Sequence, residues 1–164
     1  MPISELLVQE FDHEMTQTRK TLERVPEEKW NWKPQEKSGT LGWLSGHIAT
    51  LPGFGVVVAK TPSLEIGGAN FPRVEKHAML VDTFDKMVQD ARAAISGVSD
   101  EQLREPWTLK AQGQTIFTLP RYHALRAMCF NHIIHHRAQL TMYFRQLGVP
   151  VPALYGPSAD ESVF

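Results

Sequence analysis

The stretch from Leu41 to Ala59 has no charged side chain, and it limits the folds open to this chain more than any other feature. It is long enough to raise the question of a membrane span, but four glycines, one proline and His47 interrupt it. Its first part, residues 41–49, is apolar on nearly all sides, which is typical of a helix buried among other elements. Thr40 is placed to cap this helix, and Pro52-Gly53 is expected to kink or split it.

Three further segments have helical periodicity, so other helices can surround the buried one. In residues 3–25 apolar side chains recur at helical spacing, and Pro26 ends the pattern. A third helix is predicted from Asp82 to Gly97, and a fourth from Pro120 to Leu147. The expected fold class is therefore all-α, an antiparallel four-helix bundle with one long crossover connection.

The remaining segments are short or irregular. Residues 61–79 contain two prolines and no sustained period, which predicts a long connecting loop of the kind that often borders a site. Residues 107–110 and 114–117 flank Gln112-Gly113, a pattern that fits a small β-hairpin before the last helix. Because no repeat or linker interrupts the chain, we expect one domain over residues 1–164.

The charge balance excludes several classes of partner. A formal net charge of −1 leaves no basic excess to neutralise a phosphate backbone, so no nucleic-acid partner is expected. No membrane partner is expected either, because the long apolar run is interpreted as a core helix. The N-terminus shows no basic patch followed by an apolar core, and the single cysteine, Cys129, allows no internal disulfide. These features favour a cytoplasmic protein.

Two histidines near the end of the last helix have the spacing of a metal site. His132 and His136 lie about 40° apart and one turn apart on an α-helix, so both imidazoles can point at one ion. A third ligand must come from another element, and His47 is the ionisable residue in the apolar run. His13 is the substitute, and His77 is less suited because loops hold ligands less firmly. His123 is excluded as a ligand of the same ion, since nine helical residues place it about 180° from His132.

The alternative is that these histidines are interior groups satisfied by hydrogen bonds, because the His-x-x-x-His spacing also arises by chance. A metal ion would satisfy several buried imidazoles at once, which favours the ligand interpretation. Three neutral histidines on a divalent ion leave open coordination positions, as catalytic sites require. Imidazole suits Zn²⁺, Ni²⁺ or Fe²⁺, so the sequence predicts a divalent transition metal without choosing among these three.

Four other residues of the first and last helices are candidates for structural or supporting roles. Arg137 points about 140° away from His132, where it could form a salt bridge within the chain or face a second subunit. Cys129 is expected to be a buried, unreactive thiol. Glu10 and Glu14 lie one turn apart and could support a ligand histidine, although a solvated face is the expected location for both.

The stretch from Asn131 to Gln139 resembles the motif of the DinB/YfiT-like superfamily, whose usual form is Asn-His-x-x-x-His-Arg-Gly-Gln. Here Ala138 replaces the common glycine. The resemblance extends over essentially the whole chain, because further segments match in order and spacing. These segments are Trp30 with Pro34, residues 46–49, residues 148–152 and residues 155–161.

The resemblance implies an up-down-down-up four-helix bundle in which His47, His132 and His136 match the metal-binding triad of the family. Related proteins include S-transferases that use low-molecular-weight thiols such as bacillithiol or mycothiol, a maleylpyruvate isomerase and hydrolase-like members. The DNA-damage association in the family name concerns expression in a stress response and implies no contact with DNA.

Two functional hypotheses follow from these observations. The first is a metal-dependent enzyme that transfers a low-molecular-weight thiol to an electrophile or hydrolyses a small substrate at the three-histidine site. The second is a non-catalytic, dimeric helical module that binds a metal or small ligand, and it remains open because no general base is evident near the triad. A homodimer and a small-molecule substrate are the expected partners, and the catalytic residues stay unassigned. Solvent access to the histidines would discriminate between the two hypotheses.

Overall fold

The computed structural model describes residues 1–162, and its buried side chains form one continuous hydrophobic core. Three strands and seven α-helical segments build the described part of the chain. The helices are α1 (Ile3–Leu22), α2 (Leu41–Thr50), α3 (Gly53–Lys60), α4 (Leu80–Ser96), α5 (Asp100–Arg104), α6 (Arg121–Leu125) and α7 (Asn131–Leu147), and the strands are β1 (Ser63–Glu65), β2 (Pro106–Ala111) and β3 (Gln114–Pro120).

The apolar run forms two core helices, as its interruption predicts. The Thr40 side chain accepts a hydrogen bond of 3.0 Å from the Trp43 amide and caps α2, while Pro52 and Gly53 separate α2 from α3. The stretch Leu41–Lys60 is long and apolar enough to cross a membrane, but 72% of its most apolar window is buried inside the protein. A core helix is expected to have this degree of burial.

The expectation of an all-α fold is wrong, because the helices are joined by a three-stranded mixed sheet in the order β1-β2-β3. The predicted hairpin is confirmed: β2 and β3 pair antiparallel, and Gln112 and Gly113 both have positive φ, as a tight two-residue hairpin turn requires. The strand β1 pairs in parallel with β2 inside the segment predicted to be a loop. A segment of three residues is too short to show the periodicity of a strand, so the sequence did not predict β1. Its conformation depends on its pairing with β2.

Two helix predictions also need correction. The third helix begins at Leu80 rather than at Asp82, because a 3₁₀ turn at His77–Met79 leads directly into it. The last helix is not uniformly α-helical, since α6 and α7 are joined by a π-helical turn at Arg126–Phe130. A π turn contains one residue more than an α-helical turn, and no residue type in the sequence predicts it. The left-handed conformation of Gly148, with φ 68°, ends α7 as predicted.

A buried ion pair connects the first and last helices. The Arg137 guanidinium donates 2.7 Å from Nη2 to a carboxylate oxygen of Glu14, and both side chains are almost fully buried, at 1% and 6% exposure. Arg137 also donates to the Glu14 carbonyl and the Thr18 hydroxyl, and it donates to the hydroxyl of Tyr155 from the C-terminal tail. Of the two alternatives for Arg137, the structure shows the salt bridge within the chain, whereas the predicted solvated location of Glu14 is wrong.

Replacing Arg137 with alanine should lower the free energy of unfolding by about 3–5 kcal/mol, because the Glu14 carboxylate would remain buried without its cation. Urea denaturation measures the change. Arg92→Ala is the matched control: it removes an arginine from an exposed pair with Asp12, and it should leave the free energy of unfolding nearly unchanged. Equal losses in the two variants would contradict this interpretation of the buried pair.

Candidate metal centre

Three histidines from two helices meet at one point of the structure. His47 lies on α2, and His132 and His136 lie one turn apart on α7. One ring nitrogen of each residue lies within 4.8 Å of the other two, and the Nε2 atoms of His132 and His136 are 3.1 Å apart. The structure thus brings together the three residues that the sequence singled out, while metal binding by them remains a prediction.

The spacing of the His132 and His136 ring nitrogens fits a shared ion. Zinc–nitrogen bonds of about 2.0–2.1 Å at a tetrahedral angle place two nitrogens about 3.3 Å apart, close to the distance between His132 and His136. The His47 ring lies 4.7 Å from the His136 ring and 5.3 Å from the His132 ring, measured between centroids. Three imidazoles are a donor set that suits borderline divalent metals.

A hydrogen bond from Gln139 fixes which nitrogen of His136 faces the cluster. The Gln139 side-chain oxygen lies 2.7 Å from Nδ1 of His136, so it accepts the Nδ1 proton and leaves the lone pair of Nε2 directed at His132. The Gln139 amide nitrogen lies 3.1 Å from Nε2 of the exposed His135. The role of Gln139 was not predicted from the sequence, although its position three residues after His136 was the available signal.

Burial keeps the three imidazoles neutral. Burial, followed by the effect of the neighbouring His136 and His132, lowers the pKa of His47 from 6.5 to about 4. The pKa values of His132 and His136 are also lowered, chiefly by burial. A protonated imidazole has no lone pair for a metal, so these shifts favour the metal-binding form.

The small residues of α2 let other segments pack close to His47. A Cβ atom at Gly42 would lie 2.4 Å from the Trp30 ring, and one at Gly46 would lie 3.1 Å from Cβ of Val74. The close neighbour of Gly46 is therefore a residue of the loop between β1 and α4. The Trp43 ring stacks on the His47 ring at 5.3 Å with an interplanar angle of 13°.

The other histidines lie outside the cluster. His13 is exposed on α1, and Nε2 of His77 lies 2.8 Å from the Val25 carbonyl oxygen. His123 is exposed and stacks on Tyr122. A π turn lies between His123 and His132, so the angle of about 180° expected for a continuous α-helix does not apply. His123 nevertheless lies outside the cluster, as predicted.

The thiol of Cys129 is fully buried, and burial raises its pKa to about 12. At neutral pH it therefore stays protonated, which matches the prediction of an unreactive thiol. Cys129 is consequently not a nucleophile for this centre.

A cleft of about 1020 Å³ opens beside the cluster and has His47 in its wall. All three histidines are partly exposed rather than sealed by the core. Besides His47, the wall includes Trp30, Trp43, Lys33, Lys37 and Arg73. Small molecules of the solvent can thus approach the three-histidine cluster.

Comparison with known proteins finds relatives of this chain in sequence and in fold. The DinB family profile matches residues 1–163. The uncharacterized protein YrdA of Bacillus subtilis (strain 168) is 24% identical over 155 residues, which cover 92% of this chain and 87% of that protein. Two solved structures have a similar fold. The DinB-like protein YjoA of Bacillus subtilis has a TM-score of 0.71 at 20% identity, covering 90% of this chain and 95% of that one. A DinB-like protein of Bacillus cereus ATCC 10987 has a TM-score of 0.70 at 24% identity, covering 94% and 98%.

Acidification should destabilise the metal-free protein through His47. Its pKa is about 4 when folded and 6.5 when unfolded, so the unfolded chain binds the proton more readily. The contribution of His47 to stability is therefore complete above pH 6.5 and is lost as the pH falls towards 4. Urea denaturation across this range should show a smaller loss for His47→Gln, whose side chain does not ionise, than for the wild type. An equal loss of stability in the two proteins over this pH range would contradict the lowered pKa of His47.

Proposed function

The chain belongs to the DinB family, and on that premise we propose that it is a divalent-metal-dependent enzyme whose ion is held by His47, His132 and His136. The observation that carries the proposal is the convergence of three neutral, partly exposed imidazoles beside an open cleft. A closed structural site would use four protein ligands and exclude solvent, whereas three ligands leave a position for a substrate.

The bound ion would supply Lewis-acid chemistry, by lowering the pKa of a coordinated water or thiol. Residues of the chain do the positioning. Gln139 orients the His136 ring, and Trp43 packs flat on His47. The partial exposure of the histidines supports an enzyme rather than a module with buried structural histidines.

The reaction proposed is transfer of a low-molecular-weight thiol to a small electrophile. The thiol sulfur forms a bond to the electrophilic carbon, the leaving group departs with its bonding electron pair, and the thiol proton passes to solvent. Membership of the DinB family supports this reaction class, because S-transferases are among the proteins that the motif Asn131–Gln139 resembles. Hydrolysis of a small substrate by a coordinated water is the alternative that the same open site allows.

The metal site is tested by elemental analysis of protein purified without a histidine tag. We expect about one equivalent of zinc, nickel or iron per chain, and its loss in His132→Ala, because two remaining imidazoles bind a divalent ion much more weakly. His13→Ala is the matched control, since His13 is exposed and outside the cluster. Circular dichroism should show that both variants are folded. Full metal content in His132→Ala would refute the assignment.

Thiol transfer is tested with metal-loaded protein, 1-chloro-2,4-dinitrobenzene as electrophile and a panel of small thiols. Conjugate formation should exceed the uncatalysed rate, and His132→Ala should reduce the excess at least 100-fold because it removes the ion. His13→Ala should retain the wild-type rate. No excess over background with any thiol would refute the transferase branch, and a panel of small esters and amides would then test the hydrolase branch.

A further inference from the structure

The cleft beside His47 is positively charged, although the chain as a whole is not. Lys33, Lys37 and Arg73 line it together with the acidic Glu75, whereas the formal net charge of the chain is −1. The local excess of two positive charges lies in a concave site, where surrounding protein strengthens electrostatic attraction. A ligand that enters this cleft meets two cationic segments, one before α2 and one before α4.

Arg73 differs from the other arginines of the described residues. The other eight each have a carboxylate within 4.0 Å, whereas residues 1–162 provide no such partner for Arg73. The ammonium group of Lys37 also has no carboxylate partner in that part of the chain, and Lys33 donates to the Glu36 carbonyl at 2.8 Å. The planar donors of an unpaired guanidinium match the geometry of a carboxylate or a phosphate.

Beside His47, the wall of the cleft is formed by the aromatic ring of Trp43. Trp43 is 58% exposed, and one face of its ring covers His47. Trp43 and Arg73 line the same cleft, together with Gly39, Gly42 and Gly46, which have no side chains of their own. A ligand can therefore lie with its carbon skeleton near Trp43 and its reactive end near His47.

We propose that this cleft selects a small anionic substrate or cosubstrate, with its carboxylate or phosphate group bound by Arg73 and Lys37 and its carbon skeleton against Trp43. The inference rests on the proposed function, because it assigns the substrate class of the same centre. The cleft volume of about 1020 Å³ suits a small molecule rather than a macromolecular partner.

The first experiment needs no metal. The indole ¹H–¹⁵N signal of Trp43, assigned with Trp43→Phe, is followed in metal-free protein during titration with succinate, inorganic phosphate or the neutral analogue succinamide. Succinate or phosphate should shift the signal saturably. The anion with the lower half-saturating concentration identifies the preferred anionic group. Succinamide should bind at least ten-fold more weakly.

The double variant Lys37→Gln/Arg73→Gln should raise the half-saturating anion concentration at least ten-fold. Lys86→Gln is the matched control, because it removes a positive charge from α4 outside the cleft and should leave the titration unchanged. Thermal denaturation should show that all variants are folded. Equal binding of succinamide and the anions, no saturable shift, or an unchanged double variant would each overturn the proposal.

The second experiment separates this inference from the proposed function. Protein loaded with Co²⁺ is titrated with mercaptosuccinate and with neutral 2-mercaptoethanol, and the sulfur-to-cobalt charge-transfer absorption reports thiolate binding. Mercaptosuccinate should half-saturate the site at a concentration at least ten-fold lower, and the double variant should remove that preference without changing the titration with 2-mercaptoethanol. Equal affinity for the two thiols overturns the inference alone. Failure to bind Co²⁺ overturns the metal site, and the metal-free titration still decides whether the cleft selects anions.

Discussion

The buried contact between Arg137 and Glu14 sets the orientation of α7, and the three-histidine cluster depends on that orientation. Arg137 directly follows His136, so anchoring its side chain against α1 turns the histidine face of α7 towards α2. The guanidinium makes four hydrogen bonds, which satisfy a charge that would otherwise be costly to bury. Tyr155 donates to the same carboxylate and joins the C-terminal tail to this contact.

The helix α2 has a different role on each of its sides. Leu44 and Ile48 are buried in the core, whereas Trp43 and His47 face the cleft. Gly42 and Gly46 let Trp30 and Val74 pack close to this helix, and the basic residues Lys33, Lys37 and Arg73 line the same cleft. One short helix thus carries one of the three clustered histidines and forms a wall of the cleft beside them.

Local features of the fold could be predicted, and long-range features could not. The cap at Thr40, the break at Pro52, the hairpin turn at Gln112-Gly113 and the end of α7 at Gly148 all depend on residues close together in sequence. The strand β1 and the π turn were missed, because the first is defined by a partner more than forty residues away and no residue type in the sequence indicates the second. The all-α expectation failed because a short strand paired over this distance completes a three-stranded sheet.

The sequence by itself determined that His132 and His136 could share a ligand, because helical geometry relates residues four positions apart whatever surrounds them. It also identified His47 as a candidate and the DinB family as the source of the motif. Only the tertiary structure decided that His47 lies within reach of the pair, that Glu14 is buried beside Arg137, and that Arg73 and Lys37 line the same cleft. These contacts join segments far apart in the chain, so their distances follow from how the helices and loops pack rather than from any local pattern.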